Sequence, residues 1–259
     1  MQNKKPTQGT QHQFAFYYAD LSSILLEDID ITLVCDDLFH RFKHVVRMQQ
    51  DDTCTIFNQK ERVTFMFAKL EGKNKIRGTW QNRQQNQRLA PEITFILPML
   101  KIDALSDAIY SLAEVGITNI QLVTTHKTQT PYSEKLFDKL HRVAVAAAEQ
   151  SKVYAFPTIL PPVKLQDLLA TNLPGDKFHF DVTGVPFAEW YKPACLGEAS
   201  SRSLVQADQN YYLLVGPEGD LTDDEKSLVK TAGFQSCFLT PTVLRSVRAI
   251  SLVSGLFRL

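Results

Sequence analysis

Two short segments in the carboxy-terminal part of the chain carry residue types that could do chemistry. LLVGPEGDLTDDEKSL, residues 213–228, runs an apolar strand into Gly216-Pro217-Glu218-Gly219 and then into a group of acids. Glycines let a ligand approach the backbone closely, and Pro217 fixes φ and stiffens the turn. Thr222 with Glu225 three residues later makes a capping box, while Asp223 and Asp224 complement the positive end of the helix that follows. The first amides of that helix are therefore already engaged, and a phosphate would be badly placed there. Neither a Walker-type phosphate loop nor a GxGxxG fingerprint occurs in the chain. The second segment, FLTPTVLRSVRAISLVSGL (238–256), sets Leu244, Arg245 and Ser246 where a loop containing Pro241 enters a helix. An arginine beside a ligand-binding turn suits an anion or a developing oxyanion.

The elements that must position these residues follow from periodicity. TFILPML (94–100), NIQLV (119–123), FHFDV (178–182) and YYLLV (211–215) are short apolar runs and predict buried strands. Asp103 is the expected N-cap of a helix carrying Leu105, Ala108, Ile109 and Leu112 at helical spacing, with Gly116 as its stop. Pro131 and Ser133 open a longer helix to about Ser151, with Leu136, Leu140, Val143 and Ala147 on its apolar face; a last helix is expected over 242–257. Strands apolar on both faces and alternating with helices imply an α/β fold with an open parallel sheet covered on both sides. In such sheets ligands bind at the carboxyl ends of the strands, where the Gly216–Gly219 turn falls.

The amino-terminal part has another rhythm. FAFYYA, IDITLVC, TCTIFN, RVTFMFAKL and KIRGTW, between residues 14 and 80, predict a small antiparallel β domain, a barrel or half-barrel. FHRFKHVVRM (39–48) reads as one short basic helix with Phe42, Val45 and Val46 inward and Arg41, Lys43, His44 and Arg47 on its other faces. NRQQNQRLAPE (82–92) nearly lacks apolar residues and serves as the linker region, giving a β domain over 1–85, a linker over 86–93 and an α/β domain over 94–259.

Composition bounds the class. The 259 residues are 44% hydrophobic and 22% charged, which suits a globular protein with room for two cores. No run reaches the roughly 18 consecutive apolar residues of a membrane span. The polar start MQNKKPTQGTQHQ has no secretory signal, so a cytoplasmic location is expected. Cys35, Cys54, Cys195 and Cys237 are too dispersed for a metal site and are expected to be buried thiols. Formal charge is zero, yet Lys60 to Arg88 holds eight basic residues against two acids, including Lys73, Lys75 and Arg77, where a phosphate backbone would be attracted. His141 and His179 are expected to be structural, and Trp80 and Trp190 partly buried anchors.

Together, VGPEGDLTDDE and LTPTVLR resemble the carboxy-terminal signature of the RsmE family, the 16S ribosomal RNA uridine-N3 methyltransferases of the SPOUT superfamily. RFKHVVRM, LKIDALSDAIYSLAEVGIT (100–118) and RVAVAAAEQSK (142–152) agree in order and spacing, so the resemblance extends over nearly the whole chain. It implies a PUA-like β-barrel that helps bind RNA, and a SPOUT-type α/β domain with a trefoil knot. It also implies a homodimer and S-adenosyl-L-methionine held largely by backbone groups. By position it assigns Val215, Gly216, Pro217, Glu218, Gly219, Leu239, Thr240, Leu244, Arg245, Ser246 and Ala249 to the cofactor. Lys101, Asp103, Glu114, Gly116, Glu149 and Gln150 also match family positions. Arg245, with Lys101 as second choice, is the expected catalytic cation; no metal is expected. The chain departs from the family pattern at Ala104, Ser111, Lys152, Thr240, Val247 and Arg248. The substrate expected is 16S rRNA in the small ribosomal subunit. Two other readings stay open: a non-catalytic RNA-binding assembly protein of the same fold, and a related methyltransferase with another RNA target.

Overall fold

The computed structural model describes residues 14–24, 30–189 and 208–258. The expectations for the first 13 residues, Trp190 and Cys195 lie outside these residues. The chain divides into two compact units, residues 1–87 and 88–259.

The first unit is built on five strands: β1 (Ala15–Tyr17), β2 (Asp30–Val34), β3 (Thr53–Phe57), β4 (Glu61–Glu71) and β5 (Lys75–Gln85). Their sheet order is β1-β3-β4-β5-β2. Alternation along β4 turns Val63, Phe65 and Phe67 into the core, where Phe16, Phe42 and Ile76 join them. The sheet is not wholly antiparallel as expected, because β1 pairs with β3 in parallel register. The long excursion between these two strands returns β3 in the direction of β1, which a tight hairpin could not do.

The basic helix also differs. Helix α1 covers Asp36–His40, with Asp36 and Asp37 at its positive end, and then widens into one π-helical turn over Arg41–Val45. Val46 N–H accordingly bonds to Arg41 O at 2.9 Å. The widened turn changes the phase of the face, so Phe42 is buried and Val45 stays 64% exposed. The expected linker is shorter than its composition suggested, since β5 continues to Gln85 and the next strand begins at Glu92.

The second unit alternates strands and helices: β6 (Glu92–Pro98), α2 (Ile102–Glu114), β7 (Asn119–Thr124), α3 (Glu134–Ser151), β8 (Thr158–Lys164), α4 (Leu165–Leu169), β9 (Asp176–Pro186), β10 (Asn210–Val215), α5 (Asp223–Thr231), β11 (Gln235–Phe238) and α6 (Ser246–Leu256). The six strands form a parallel sheet in the order β11-β9-β10-β6-β7-β8. The α/β expectation with a parallel sheet holds. One face buries Ile96, Val123 and Leu214 against Leu165 of α4 and Val229 of α5. On α6, Phe257 closes the helix against Phe178 and Tyr211, with ring centroids at 5.4 and 5.5 Å.

The caps and stops of α2, α3 and α5 rest on local signals, and two helix starts, those of α2 and α6, differ from expectation. Ser133 caps α3 by accepting from Leu136 N–H at 3.2 Å, and Thr222 and Glu225 close a full capping box on α5. Gly116 takes the left-handed conformation (φ 78°) that stops α2. The N-cap of α2 is Lys101, and Asp103 lies inside the first turn, where its charge meets the helix dipole without capping. α6 begins at Ser246, later than the expected 242, because residues 239–245 form a loop. Strand β8, helix α4 and strand β11 were not expected, and β9 extends to Pro186.

Candidate active site

Chain order and sheet order part company between β10 and β6. The run β6-β7-β8 travels one way from that junction, whereas β10 sits beside β6 with β9 and β11 beyond it. Loops leaving the carboxyl ends on the two sides of such a junction diverge and leave a crevice. A cleft of about 950 Å³ lies here, lined by the loop after β10, the loop after β11 with the start of α6, part of β9 and one side of α2.

Ten of the eleven residues assigned to the cofactor line this one cleft: Val215, Gly216, Pro217, Glu218, Leu239, Thr240, Leu244, Arg245, Ser246 and Ala249. Gly219 and Lys101 do not. The Gly219 carbonyl instead accepts from Lys127 Nζ at 2.6 Å, and Lys101 caps α2 with an exposed side chain. The turn is closed by Asp220 N–H bonding to Pro217 O at 2.9 Å. Its left-handed residue is Asp220 (φ 59°), so the conformational demand falls one position after the glycine. Gly216 leaves little spare room: a Cβ there would lie 3.3 Å from Asp220 Oδ1, so that carboxylate would have to shift by a few tenths of an ångström.

The capping box does more than finish α5. Thr222 N–H donates to Glu225 Oε2 at 2.9 Å, while the other oxygen, Oε1, accepts from His126 N–H at 2.7 Å. Lys127 and His126 thus fasten the segment after β7 to the turn and to the helix behind it. Across the cleft, Arg245 is the N-cap residue of α6, its carbonyl accepting from Arg248 N–H at 2.9 Å and Ala249 N–H at 3.0 Å. Its side chain is exposed. Thr240 Oγ1 donates to Thr242 O at 2.7 Å and braces that loop internally. Val247 and Arg248 line the cleft, as do Ala104 and Ser111 of α2.

Sequence reasoning missed six polar residues of the lining: Asp107, Tyr110, Asp181, Asp220, Thr242 and Ser251. Asp181 had a usable signal, since it is an acid directly after Phe178-His179-Phe180 within a strand-forming run. Its carboxylate is 6% exposed and meets Lys226 Nζ at 2.8 Å. Burial would raise its pKa, but the hydrogen bond and charge of Lys226 outweigh that and hold it below the ordinary value.

Residues 87–257 match the family model described as an RNA methyltransferase domain. The chain belongs to this RNA methyltransferase family. Ribosomal RNA small subunit methyltransferase E of Rickettsia conorii is 25% identical over 230 residues, 88% of this chain and 89% of that protein. The protein of the same name from Synechocystis is 26% identical over 64% of this chain and 52% of its own length. Among solved structures, ribosomal RNA small subunit methyltransferase E of Neisseria gonorrhoeae, bound to S-adenosyl methionine, superposes with a TM-score of 0.74 at 22% identity, covering 94% of this chain and 96% of that one. A putative methyltransferase of Legionella pneumophila, in complex with the same compound, gives 0.78 at 19% identity, covering 96% and 98%. These structures establish the shared fold.

Outside the matched RNA methyltransferase domain, the expected RNA contacts fall on two segments of the first unit. Arg41, Lys43, His44 and Arg47 lie on or just after the π-helical turn. The Arg41 guanidinium lies 4.9 Å from the Phe16 ring centroid, and the Lys43 ammonium 5.8 Å from that of Phe39. Lys73, Lys75 and Arg77 lie at the β4–β5 hairpin, where Glu71 pairs with Arg77 at 2.7 Å and with Lys69 at 2.8 Å. Trp80 is buried, with the Arg83 guanidinium 5.2 Å from its ring centroid. Cys54 and Cys237 are buried free thiols as expected, while Cys35 is only half-buried. His179 is buried, His141 half-buried, and burial lowers the pKa of both. Among the described residues no group of three or more His, Cys, Asp or Glu could hold a metal, and no helix is long and apolar enough to cross a membrane.

Proposed function

We propose that the chain is an S-adenosyl-L-methionine-dependent methyltransferase that modifies N3 of a uridine in 16S rRNA of the small ribosomal subunit. The observation that carries this reading is the convergence of the Gly216–Glu218 turn and the Leu239–Ser246 loop on one cleft at the sheet's switch point, in a chain of the RNA methyltransferase family. The names of the related proteins supply the ribosomal substrate.

The donor set suits the cofactor. Val215, Leu239, Leu244 and Ala249 offer apolar surface for a nucleoside, exposed backbone at 216–218 and 239–245 offers amides and carbonyls, and Glu218, Asp107 and Asp181 favour a cation. When bound, S-adenosyl-L-methionine supplies an electrophilic methyl group on sulfur. The protein contributes position and charge, and alignment of two reactants can account for roughly 7–11 kcal/mol of a barrier. Uracil N3 must give up its proton to become a nucleophile. Arg245 stabilises the anionic uracil through its carbonyl oxygens, while Glu218 shapes the turn. A knotted SPOUT domain, a PUA-like barrel carrying Arg41, Lys43, His44, Arg47, Lys73, Lys75 and Arg77 against RNA, a homodimer and a cytoplasmic location belong to the same reading.

The test is methylation of small subunits from a strain lacking the enzyme, followed by mass mapping of modified nucleosides. A new 3-methyluridine in 16S rRNA supports the proposal; no methyl incorporation, with no calorimetric heat for S-adenosyl-L-methionine, sinks it. One observation favours a non-catalytic RNA-binding role: three departures from the family pattern, Thr240, Val247 and Arg248, all line the cleft. Methylation at another site would favour the reading of a different RNA target.

A further inference from the structure

Resting on that cofactor reading, we propose that Lys226 is a positioning residue of the cleft, its ammonium tying Asp181 of β9 to Asp220 of the Pro217–Asp220 turn and so holding that wall in its binding shape. Lys226 Nζ meets Asp181 Oδ2 at 2.8 Å and Asp220 Oδ2 at 2.7 Å. Both carboxylates line the cleft, while Lys226 projects from α5 behind it.

The two acids differ in what they need. The Asp181 side chain is 6% exposed and the Asp220 side chain 52%, so desolvation weighs on the first, where the counter-charge of Lys226 matters most. Thr183 Oγ1 donates to Asp181 Oδ2 at 3.1 Å, a neutral contact that cannot replace a cation. Asp220 must hold a left-handed backbone, and its Oδ1 accepts from Leu221 N–H at 2.7 Å while lying over Gly216. Fastening its other oxygen to Lys226 couples the turn to α5, which the capping box already anchors, and to β9 in the sheet. Without the ammonium, two carboxylates would face each other across the place it held. The more exposed one would swing toward water and carry the Gly216 backbone with it.

Other charged groups close by do not substitute. His179 on β9 is buried, and desolvation, with the nearby Lys226 charge, opposes its protonation. Glu225 on α5 is engaged by Thr222 and His126. Asp107 of α2, Glu218 of the turn, and Arg245 and Arg248 of the second loop line the same cleft. In wild type Lys226 pairs with both acids and holds the pKa of Asp181 below its ordinary value. In Lys226→Met the buried Asp181 faces Asp220 unpaired, so its pKa rises, and acidification relieves the repulsion by protonating it.

Calorimetry with S-adenosyl-L-methionine near pH 5.5 and near pH 8 should be run on wild type, K226M, K226R and D181N/K226M, with amide hydrogen exchange over residues 216–221 on the ligand-free proteins. We expect K226M to weaken binding about tenfold or more near pH 8 and clearly less near pH 5.5, and K226R to stay within about threefold of wild type. The double variant should lose the pH dependence, and exchange should accelerate in K226M. Equal weakening at both pH values, or unchanged affinity and exchange in K226M, overturns the proposal. If wild type itself binds no S-adenosyl-L-methionine, the cofactor reading fails, and unchanged exchange in K226M would independently refute the latch.

Discussion

Lys127 and Gly219 are joined by a hydrogen bond from the lysine ammonium to the glycine carbonyl at 2.6 Å, ninety-two positions apart in the chain. This contact explains why the second glycine of the motif turns away from the cleft. A Cβ at Gly219 would meet Lys127 Cδ at 3.5 Å, an ordinary contact, and its φ is not left-handed. Gly219→Ala should therefore keep cofactor affinity within about twofold, whereas Lys127→Met should weaken it several-fold, in keeping with about 1 kcal/mol for a hydrogen bond lost at an exposed site. Calorimetric titration of both variants checks this.

Arg245 sits at the mouth of α6 with its side chain exposed in the cleft. Arg245→Ala should slow single-turnover methylation of small subunits about 100- to 1000-fold, the usual effect of removing one donor to a developing oxyanion. Cofactor affinity should change much less. An unaltered single-turnover rate would remove Arg245 from the mechanism.

Thr240 braces its loop through Thr242 O at 2.7 Å. Thr240→Gly removes that bond and frees the backbone, so binding should weaken about three- to tenfold. Tighter binding would mean that the threonine side chain obstructs the cleft.

Glu61 forms a bidentate ion pair with Arg83, Oε1 accepting from Nη2 at 2.7 Å, and its side chain is only 3% exposed. Its pKa is lowered, chiefly by the Arg83 hydrogen bond. A carboxyl whose folded pKa is depressed stabilises the fold above its unfolded value and loses that contribution as pH falls through the folded one. Glu61→Gln should cost about 3 kcal/mol near neutrality, with the gap to wild type closing below about pH 4. Denaturant melts of the first unit's transition across pH would show it.

Lys73 and Lys75 stand at the tip and base of the β4–β5 hairpin, and both are exposed. If that edge meets RNA phosphates, K73A/K75A should reduce the slope of log affinity against log salt by about 1.4 to 1.8, since each neutralised phosphate contributes roughly 0.7 to 0.9. An unchanged slope would place the RNA elsewhere.

Much of the secondary structure was legible because its causes are local. Ser133 and Thr222 announce their helices through side chains that bond amides three residues on, and Gly116 ends α2 in a left-handed conformation that favours glycine. Strand β8 was hidden by Pro161 and Pro162, which a strand tolerates only at an edge; whether β8 is an edge depends on its neighbours, and it pairs with β7 alone. The four-residue β11 is too short to show a period. The basic segment 39–48 misled because a π-helical turn changes which residues face inward, and no local propensity marks that change.

The amino-acid sequence by itself determined the two turns, their glycine, proline and arginine, and the strand-and-helix alternation that delivers them to one end of a sheet. These rest on steric and hydrogen-bonding preferences within a few residues of each other. Only the tertiary structure decided that β10 would lie between β9 and β6, and hence that Asp181, Lys226, Asp220 and Lys127 would meet around the Gly216 turn. Charge pairing across such distances in sequence is set by which strands become neighbours, and that is a property of the whole packed sheet.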